Sequence, residues 1–196
     1  MPEPSKYGAM ANPRWWFTED NFYIYGMQRN VVFAGSFDPF TLGHLDIVKR
    51  ASALFDELYV LLAVNASKKY LFDEATRVEM VRKAVAQFPN VKVDCFDGLT
   101  VDFAKRVGAK FLVRGLRGAA DVEYEQTVAW NNKMLCSECE TVFLSSAPEH
   151  LMVSSTVVRE ILKAGFAGDD AGKKKLAKYV PECIVECLLN NLSLRA

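Results

Sequence analysis

The chain has 196 residues, of which 51% are hydrophobic and 24% are charged, a composition typical of one globular domain large enough to bury a core. Its 24 Lys and Arg residues balance its 24 Asp and Glu residues, so no overall positive field attracts nucleic acid or an anionic membrane. No uninterrupted apolar run approaches the roughly 18 residues of a membrane span. We therefore expect no nucleic-acid partner and no membrane partner.

The first 26 residues differ in composition from the rest of the chain. Prolines at positions 2 and 4 are followed by a cluster of Trp, Phe and Tyr between residues 15 and 25. The segment has no apolar core or small-residue cleavage site of a secretory signal. We interpret residues 1–26 as an N-terminal extension and residues 27–196 as a single domain. The alternative is an aromatic arm that docks on this or a neighbouring subunit.

From residue 30 onward, short apolar runs of strand length alternate with longer helical patterns. The predicted strands are residues 30–35, 57–64, 91–96, 110–115 and 140–145. The predicted helices are residues 43–55, 73–88, 119–135 and 154–166. This alternation predicts an α/β fold with a doubly wound parallel sheet, whose ligand lies beyond the carboxyl ends of the strands. The last 25 residues, with a helix after Pro181, predict a C-terminal helical cap.

The five cysteines are too few and too scattered for a disulfide scaffold. Cys136 and Cys139, together with Cys183 and Cys187, raise the alternative of a four-thiolate zinc site, although only the first pair has a typical spacing. The odd count favours reduced, buried or unreactive thiols in the cytoplasm, and no metal bound by the protein itself.

The stretch "AGSFDPFTLGH", residues 34–44, joins the first predicted strand to the first predicted helix. Gly35 permits a tight turn, Ser36 offers a hydroxyl, and Gly43 lets the helix begin close to a bound ligand. His44 lies in the first helical turn, where free N–H groups and the helix dipole favour phosphate. His44 is therefore a candidate phosphate donor, and the alternative is a local capping or packing role. Neither a Walker A pattern nor G-x-G-x-x-G is present.

The same stretch resembles the T/H-x-G-H signature of the nucleotidylyltransferases, in the form found in the bacterial phosphopantetheine adenylyltransferases. Three further stretches agree in order: "SKK" at 67–69, "RGLRGAADVEYE" at 114–125 and "VSSTVVRE" at 153–160. The resemblance runs from about residue 30 to residue 190. It implies a Rossmann-like fold and adenylyl transfer from ATP to 4′-phosphopantetheine, which gives 3′-dephospho-CoA and pyrophosphate.

The resemblance also implies roles for individual residues. His44 would stabilise the transition state, and Ser36, Lys68, Thr100 and Arg114 would bind phosphopantetheine. Lys68 and Arg114 offer charge-assisted bonds that suit a phosphate. The residues matching the ATP site form a larger set: Ser36, Phe37, His44, Gly115, Leu116, Arg117, Glu125, His150, Leu151, Met152, Val153, Ser154, Ser155 and Thr156.

Some of these positions carry structural alternatives or depart from the family pattern. Glu125 could accept ribose hydroxyls or be a surface carboxylate, and Ser154 to Thr156 could be an ordinary helix N-cap. Ser36 stands where Thr is common. His150 stands where some relatives place a Trp near the adenine.

The resemblance further implies Mg²⁺ held mainly by the substrate phosphates, and a homo-oligomer, a hexamer in this family. Two other functions compete with this interpretation. One is a nucleotidylyltransferase that uses nicotinate mononucleotide or a small phosphorylated alcohol. The other is a non-catalytic nucleotide-binding regulator, which would lack one of His44, Lys68 and Arg114, and all three are present.

Overall fold

The computed structural model describes residues 28–64, 68–164 and 170–193. The extension predicted for residues 1–26, and the aromatic arm that is its alternative, lie outside the described residues. None of the described helices is long and apolar enough to span a membrane.

A sheet of five parallel strands forms the centre of the described domain, in the order β3-β2-β1-β4-β5. The strands are β1 (Asn30–Gly35), β2 (Glu57–Ala63), β3 (Val91–Phe96), β4 (Phe111–Leu116) and β5 (Glu140–Ser145). The order reverses between β1 and β4, which pair through Val31 and Phe111. The predicted doubly wound parallel sheet is confirmed, with its topological switch point between β1 and β4.

Helices cover both faces of this sheet. The α-helices are α1 (Leu42–Leu54), α2 (Glu74–Val85), α3 (Thr100–Arg106), α4 (Ala119–Leu135), α5 (Ser155–Lys163), α6 (Asp170–Leu176) and α7 (Glu182–Ser193), and a short 3₁₀ turn spans Pro148–His150. The sequence analysis missed α3, because this helix has only seven residues and its N-cap, Leu99, makes no side-chain capping bond.

Successive side chains of β1 point to opposite faces of the sheet, so the hydrophobic core has two parts. Val31 and Phe33 pack with α1, α2 and α7 on one face of the sheet. Val32 and Ala34 pack with α3 on the other face. On the first face Ile184 of α7 is completely buried, because α7 packs on α2. The two C-terminal helices therefore form the predicted helical cap.

The expectation of reduced thiols is wrong for one pair, since Cys136 and Cys139 form a disulfide. Helix α4 ends at Leu135, and the Cys139 N–H donates to the Cys136 carbonyl at 3.0 Å. This turn brings the two Cα atoms to 5.3 Å, within the usual range for a disulfide. The remaining cysteines are free, and the described residues contain no cluster of three or more His, Cys, Asp or Glu side chains that could hold a metal ion.

Candidate active site

A cleft of about 480 Å³ opens at the carboxyl ends of β1 and β4. Most of the predicted site residues line it: Ser36, Phe37, His44, Lys68, Thr100, Arg114, Gly115, Arg117, Glu125, Val153, Ser154, Ser155 and Thr156. They come from the end of β4, from the segments after β1, β2, β3 and β4, and from the start of α5. The switch point of the sheet therefore brings together residues more than a hundred positions apart.

The turn after β1 depends on close contact between Gly35 and Phe37. A Cβ atom on Gly35 would lie 2.9 Å from the Phe37 ring, so only glycine fits there. Phe37 adopts φ 45°, a left-handed conformation that is rare for a bulky residue. The residue is 2% exposed, and its ring packs edge-on against Phe33 at 5.4 Å between centroids.

His44 lies in the first turn of α1 and forms a capping box with Thr41. The Thr41 side chain accepts from the His44 N–H, and the Thr41 N–H donates to His44 Nδ1 at 3.1 Å. Since Nδ1 accepts this bond, the proton of the neutral ring is on Nε2. The capping role and the ligand-facing position are therefore compatible in one side chain, although the sequence analysis treated them as alternatives.

The surroundings of His44 keep its ring uncharged. The Phe37 ring lies perpendicular to the imidazole with centroids 5.1 Å apart. Burial, together with the positive charges of Arg117 and Arg114, lowers the pKa of His44 from 6.5 to about 4. At neutral pH, His44 is a neutral residue that can donate through Nε2–H.

The guanidinium of Arg114 is held by two hydrogen-bond acceptors, a backbone carbonyl and a carboxylate. Its guanidinium donates to the Ala34 carbonyl at 2.8 Å and to both carboxylate oxygens of Glu125 at 2.5 and 2.8 Å. Glu125 is thereby engaged by Arg114, and its predicted contact with ribose stays a prediction. Lys68 completes this side of the cleft, because its ammonium donates to the Ser36 hydroxyl at 3.2 Å.

Arg117 is held separately, by Asp121 one helical turn later. Its Nε and one terminal nitrogen donate to the Asp121 carboxylate at 2.9 and 3.1 Å. These bonds lower the pKa of Asp121, so the carboxylate is ionised at neutral pH. Asp121 lines the cleft and was missed in the sequence analysis, although the four-residue spacing from Arg117 is a recognisable signal for a helical ion pair.

The start of α5 closes the far side of the cleft. Ser154 is the N-cap and accepts from the Val157 N–H at 3.2 Å, so the capping alternative holds for this residue. The Ser155 hydroxyl donates to the Pro39 carbonyl at 2.8 Å, which ties α5 to the turn after β1. Arg159 also lines the cleft and donates to the Thr156 hydroxyl at 3.0 Å. Arg159 lies within the stretch "VSSTVVRE" of the sequence analysis but was not named there as a site residue.

Four predicted ATP-site residues do not line the cleft: Leu116, His150, Leu151 and Met152. His150 ends the 3₁₀ turn, with its Cβ 4.0 Å from where a Cβ on Gly43 would lie. Leu151 and Met152 are exposed, at 45% and 83%. Their roles in ATP binding stay predictions. Two tyrosines that were not predicted, Tyr70 and Tyr124, line the cleft instead.

Comparison with known proteins identifies relatives over most of the chain. The cytidylyltransferase-like family matches residues 32–161. A phosphopantetheine adenylyltransferase of Lachnoclostridium phytofermentans is 45% identical over 80% of this chain and 91% of its own length. The proteins of that name from Streptococcus pneumoniae and Leptospira biflexa are 48% and 40% identical, over 81% and 85% of this chain and 94% and 99% of their own lengths.

Solved structures agree in fold. A putative nicotinate-nucleotide adenylyltransferase from Vibrio parahaemolyticus has a TM-score of 0.62 at 18% identity, covering 83% of this chain and 99% of its own. The nicotinic acid mononucleotide adenylyltransferase of Plasmodium falciparum has a TM-score of 0.59 at 14% identity, covering 84% of this chain and 96% of its own. The fold and the sequence relatives together show that this chain belongs to the phosphopantetheine adenylyltransferase family of cytidylyltransferase-like nucleotidyltransferases.

Proposed function

We propose that this protein transfers the adenylyl group of ATP to 4′-phosphopantetheine, with 3′-dephospho-CoA and pyrophosphate as products. Relatives 40% to 48% identical over most of the chain carry the name of this activity. The observation that carries the proposal is the arrangement of four cationic side chains around one cleft: Lys68, Arg114, Arg117 and Arg159. A cleft that must hold two phosphorylated substrates together requires such an excess of positive charge.

The chemistry requires no nucleophile from the protein. A phosphate oxygen of phosphopantetheine attacks the α-phosphorus of ATP in line, the new P–O bond forms, and the bond to the pyrophosphate oxygen breaks. In this scheme Lys68, Arg114 and Ser36 hold the attacking phosphate. Arg117 and the start of α5 hold the triphosphate.

His44 acts at the reacting phosphorus in this scheme. Its Nε2–H donates to an α-phosphate oxygen as negative charge develops there. The hydrogen bond from the Thr41 N–H already orients the ring. Because the reaction transfers no proton from His44, a neutral N–H donor is sufficient for this task.

Mg²⁺ enters this scheme as part of the substrate. The described residues contain no carboxylate cluster that could form a metal cage, and the two acidic residues of the cleft, Asp121 and Glu125, are paired with arginines. Mg²⁺ is therefore proposed to arrive bound to the ATP phosphates, where it neutralises part of their charge.

We also propose that the protein works as a homo-oligomer, with six copies as the family resemblance implies. Helix α4 supports this, because none of its 17 residues up to Leu135 is buried within one chain. Its exposed apolar residues are Val122, Tyr124, Trp130, Met134 and Leu135. Exposed apolar surface on this scale favours contact with another protein surface.

The compartment we propose is the cytoplasm. Cys95, Cys183 and Cys187 are free, and Cys183 is exposed, which fits a reducing environment. The buried Cys136–Cys139 disulfide is the observation that argues against it.

Pyrophosphate release from ATP tests the proposed reaction. We expect release with 4′-phosphopantetheine and little release without it. Nicotinate mononucleotide serves as the competing acceptor. Faster release with nicotinate mononucleotide would assign the protein to the competing transferase activity, whereas ATP binding without release with either acceptor would indicate a regulator.

A further inference from the structure

Arg77 of α2 is a buried cation that the reaction scheme leaves unused. It is 2% exposed, and among the described residues no carboxylate lies within ion-pair distance of it. Its Nε has no hydrogen-bond partner there either. Burial of a charge without a countercharge is costly, so the contacts that Arg77 does make have to account for its position.

The contacts of Arg77 lead directly to the turn after β1. One terminal nitrogen donates to the Ser36 carbonyl at 2.7 Å, and the guanidinium carbon lies 3.9 Å from the centre of the Tyr70 ring. The neighbouring Asp38 carboxylate accepts from the backbone N–H groups of Leu71 and Phe72 at 2.8 and 3.0 Å. The segment leading into α2 and α2 itself thus hold the turn after β1 in place. Within them, Arg77 is the residue that contacts Ser36.

The bond to the Ser36 carbonyl fixes the orientation of one peptide unit. The only cis peptide bond among the described residues is Asp38–Pro39, so the Ser36–Phe37 peptide is trans, and its C=O and N–H point in opposite directions. Since Arg77 holds the C=O on the buried side, the Phe37 N–H points away from Arg77. Ser36 and Phe37 line the cleft, and within the described part of the chain no acceptor takes this N–H.

Without Arg77, the local backbone preference would turn this peptide over. A flip of the Ser36–Phe37 peptide changes φ of Phe37 by about 180°, from 45° to about −135°, which is an ordinary extended value for a bulky residue. The observed orientation is therefore the less favourable one for Phe37 itself. The Arg77 hydrogen bond is the contact that opposes the flip.

We propose that Arg77 is a positioning residue for adenylyl transfer, which pins the Ser36–Phe37 peptide so that the Phe37 N–H can donate to a phosphate oxygen of the substrates. This inference rests on the proposed function. Arg77 itself does not line the cleft and acts through the peptide.

Replacement of Arg77 by Met and by Lys tests this inference. Direct removal of one donor to a developing oxyanion costs about 10²–10³ in kcat. Because a flipped peptide still samples the active orientation, we expect Arg77→Met to lower kcat about tenfold or more, and to weaken binding of ATP with Mg²⁺ in calorimetry without an acceptor. Arg77→Lys should recover part of both losses, since an ammonium can still donate to the Ser36 carbonyl.

Arg82→Met is the matched control, because Arg82 lies on the same helix and is exposed. A lower melting temperature in Arg77→Met with unchanged kcat and ATP affinity would mean a purely structural role and would overturn the inference. If Arg77→Met fails to fold, Arg77→Lys decides: an unchanged kcat and an unchanged ATP affinity overturn the inference. If the wild-type protein binds ATP but makes no dephospho-CoA, the proposed function fails, and the ATP affinities of the variants still decide the role of Arg77.

Discussion

In the proposed reaction, His44 carries two functions on the two nitrogens of one ring. Nδ1 accepts the Thr41 N–H and completes the helix cap, while Nε2–H is left for a ligand. The cap fixes both the tautomer and the orientation of the ring. A substitution at this position therefore changes helix stability and phosphate chemistry together, unless the new side chain keeps the cap.

Two variants of His44 separate these functions. Gln is a usual residue at this position of a capping box, so His44→Gln should keep the stability of α1, whereas His44→Ala loses the hydrogen bond from the Thr41 N–H and should destabilise the protein by about 1 kcal/mol. Both variants lose the ring donor, and we expect kcat to fall by about 10²–10³ in both, with ATP still bound. Steady-state kinetics and thermal melts measure the two effects. A near-normal kcat in His44→Ala would show that His44 serves only as a helix cap and has no role in the reaction.

The low pKa of His44 predicts how stability and activity depend on pH. The pKa is about 4 in the folded protein and ordinarily 6.5, so between these values the unfolded chain binds more protons. The contribution of His44 to stability is therefore complete above pH 6.5, decreases as the pH falls towards about 4, and is constant below that.

We expect the melting temperature to fall between pH 6.5 and pH 4.5 more steeply in the wild-type protein than in His44→Gln, as measured by thermal melts. The neutral ring is the donor, so titration of His44 should not change kcat near pH 6.5. A kcat that increases as the pH falls through 6.5 would identify the imidazolium as the active form instead.

Strand β4 and helix α4 together determine the orientation of the Arg114 and Arg117 side chains in the cleft. Arg114 lies within β4 and is anchored to β1 through the Ala34 carbonyl and to α4 through Glu125. Arg117 lies after β4 and pairs with Asp121, which belongs to the same helix α4. Both guanidiniums are held by carboxylates of α4, but Arg114 also bonds to the Ala34 carbonyl of β1, and the carboxylate that holds Arg117 lies one helical turn earlier, which fits one site for each substrate.

Kinetics of Arg114 and Arg117 variants test this division. Arg114→Met should raise KM for phosphopantetheine much more than KM for ATP, by on the order of 2–3 kcal/mol for a lost charge-assisted contact. Arg117→Met should mainly weaken ATP binding. The control is Arg114→Met combined with Glu125→Gln, because removal of Arg114 alone leaves the Glu125 carboxylate unpaired. Equal changes of both KM values in both variants would contradict the assignment of separate sites.

Across the whole molecule, helix α4 contributes both to the cleft and to an exposed apolar surface. Asp121 and Glu125 project into the cleft, while Trp130 and Met134 are 62% and 86% exposed. Contact with another subunit along α4 would therefore also steady the carboxylates that hold the two arginines.

The oligomer can be tested by its mass. We expect light scattering to give several times the chain mass of 22.0 kDa, and six times for a hexamer. Introducing Glu at both Trp130 and Met134 should dissociate the assembly, because two carboxylates would be buried in an apolar contact. Ala53→Glu on the exposed part of α1 is the matched control. A wild-type mass of 22.0 kDa would refute the proposal.

The sequence by itself determined the sheet, most of the helices and the segments that form the cleft. Strand and helix periodicities are local, so the bounds of β1, β3 and β5 could be predicted to the residue. Because parallel strands end at the same edge of a sheet, the residues after each strand could also be assigned to one site. This reasoning singled out His44, and the family resemblance added Lys68 and Arg114 to the same cleft.

Only the tertiary structure decided which of these groups are paired, buried or ionised. The Arg114 contact with Ala34, the burial of Arg77 beneath Ser36 and the pKa of His44 all depend on segments far apart in the chain. The Cys136–Cys139 disulfide depends on how the turn after α4 closes. Spacing along a sequence encodes which side chains share a helix face or a strand end. It does not encode the distances between elements, and those distances determine desolvation, hydrogen bonding and charge.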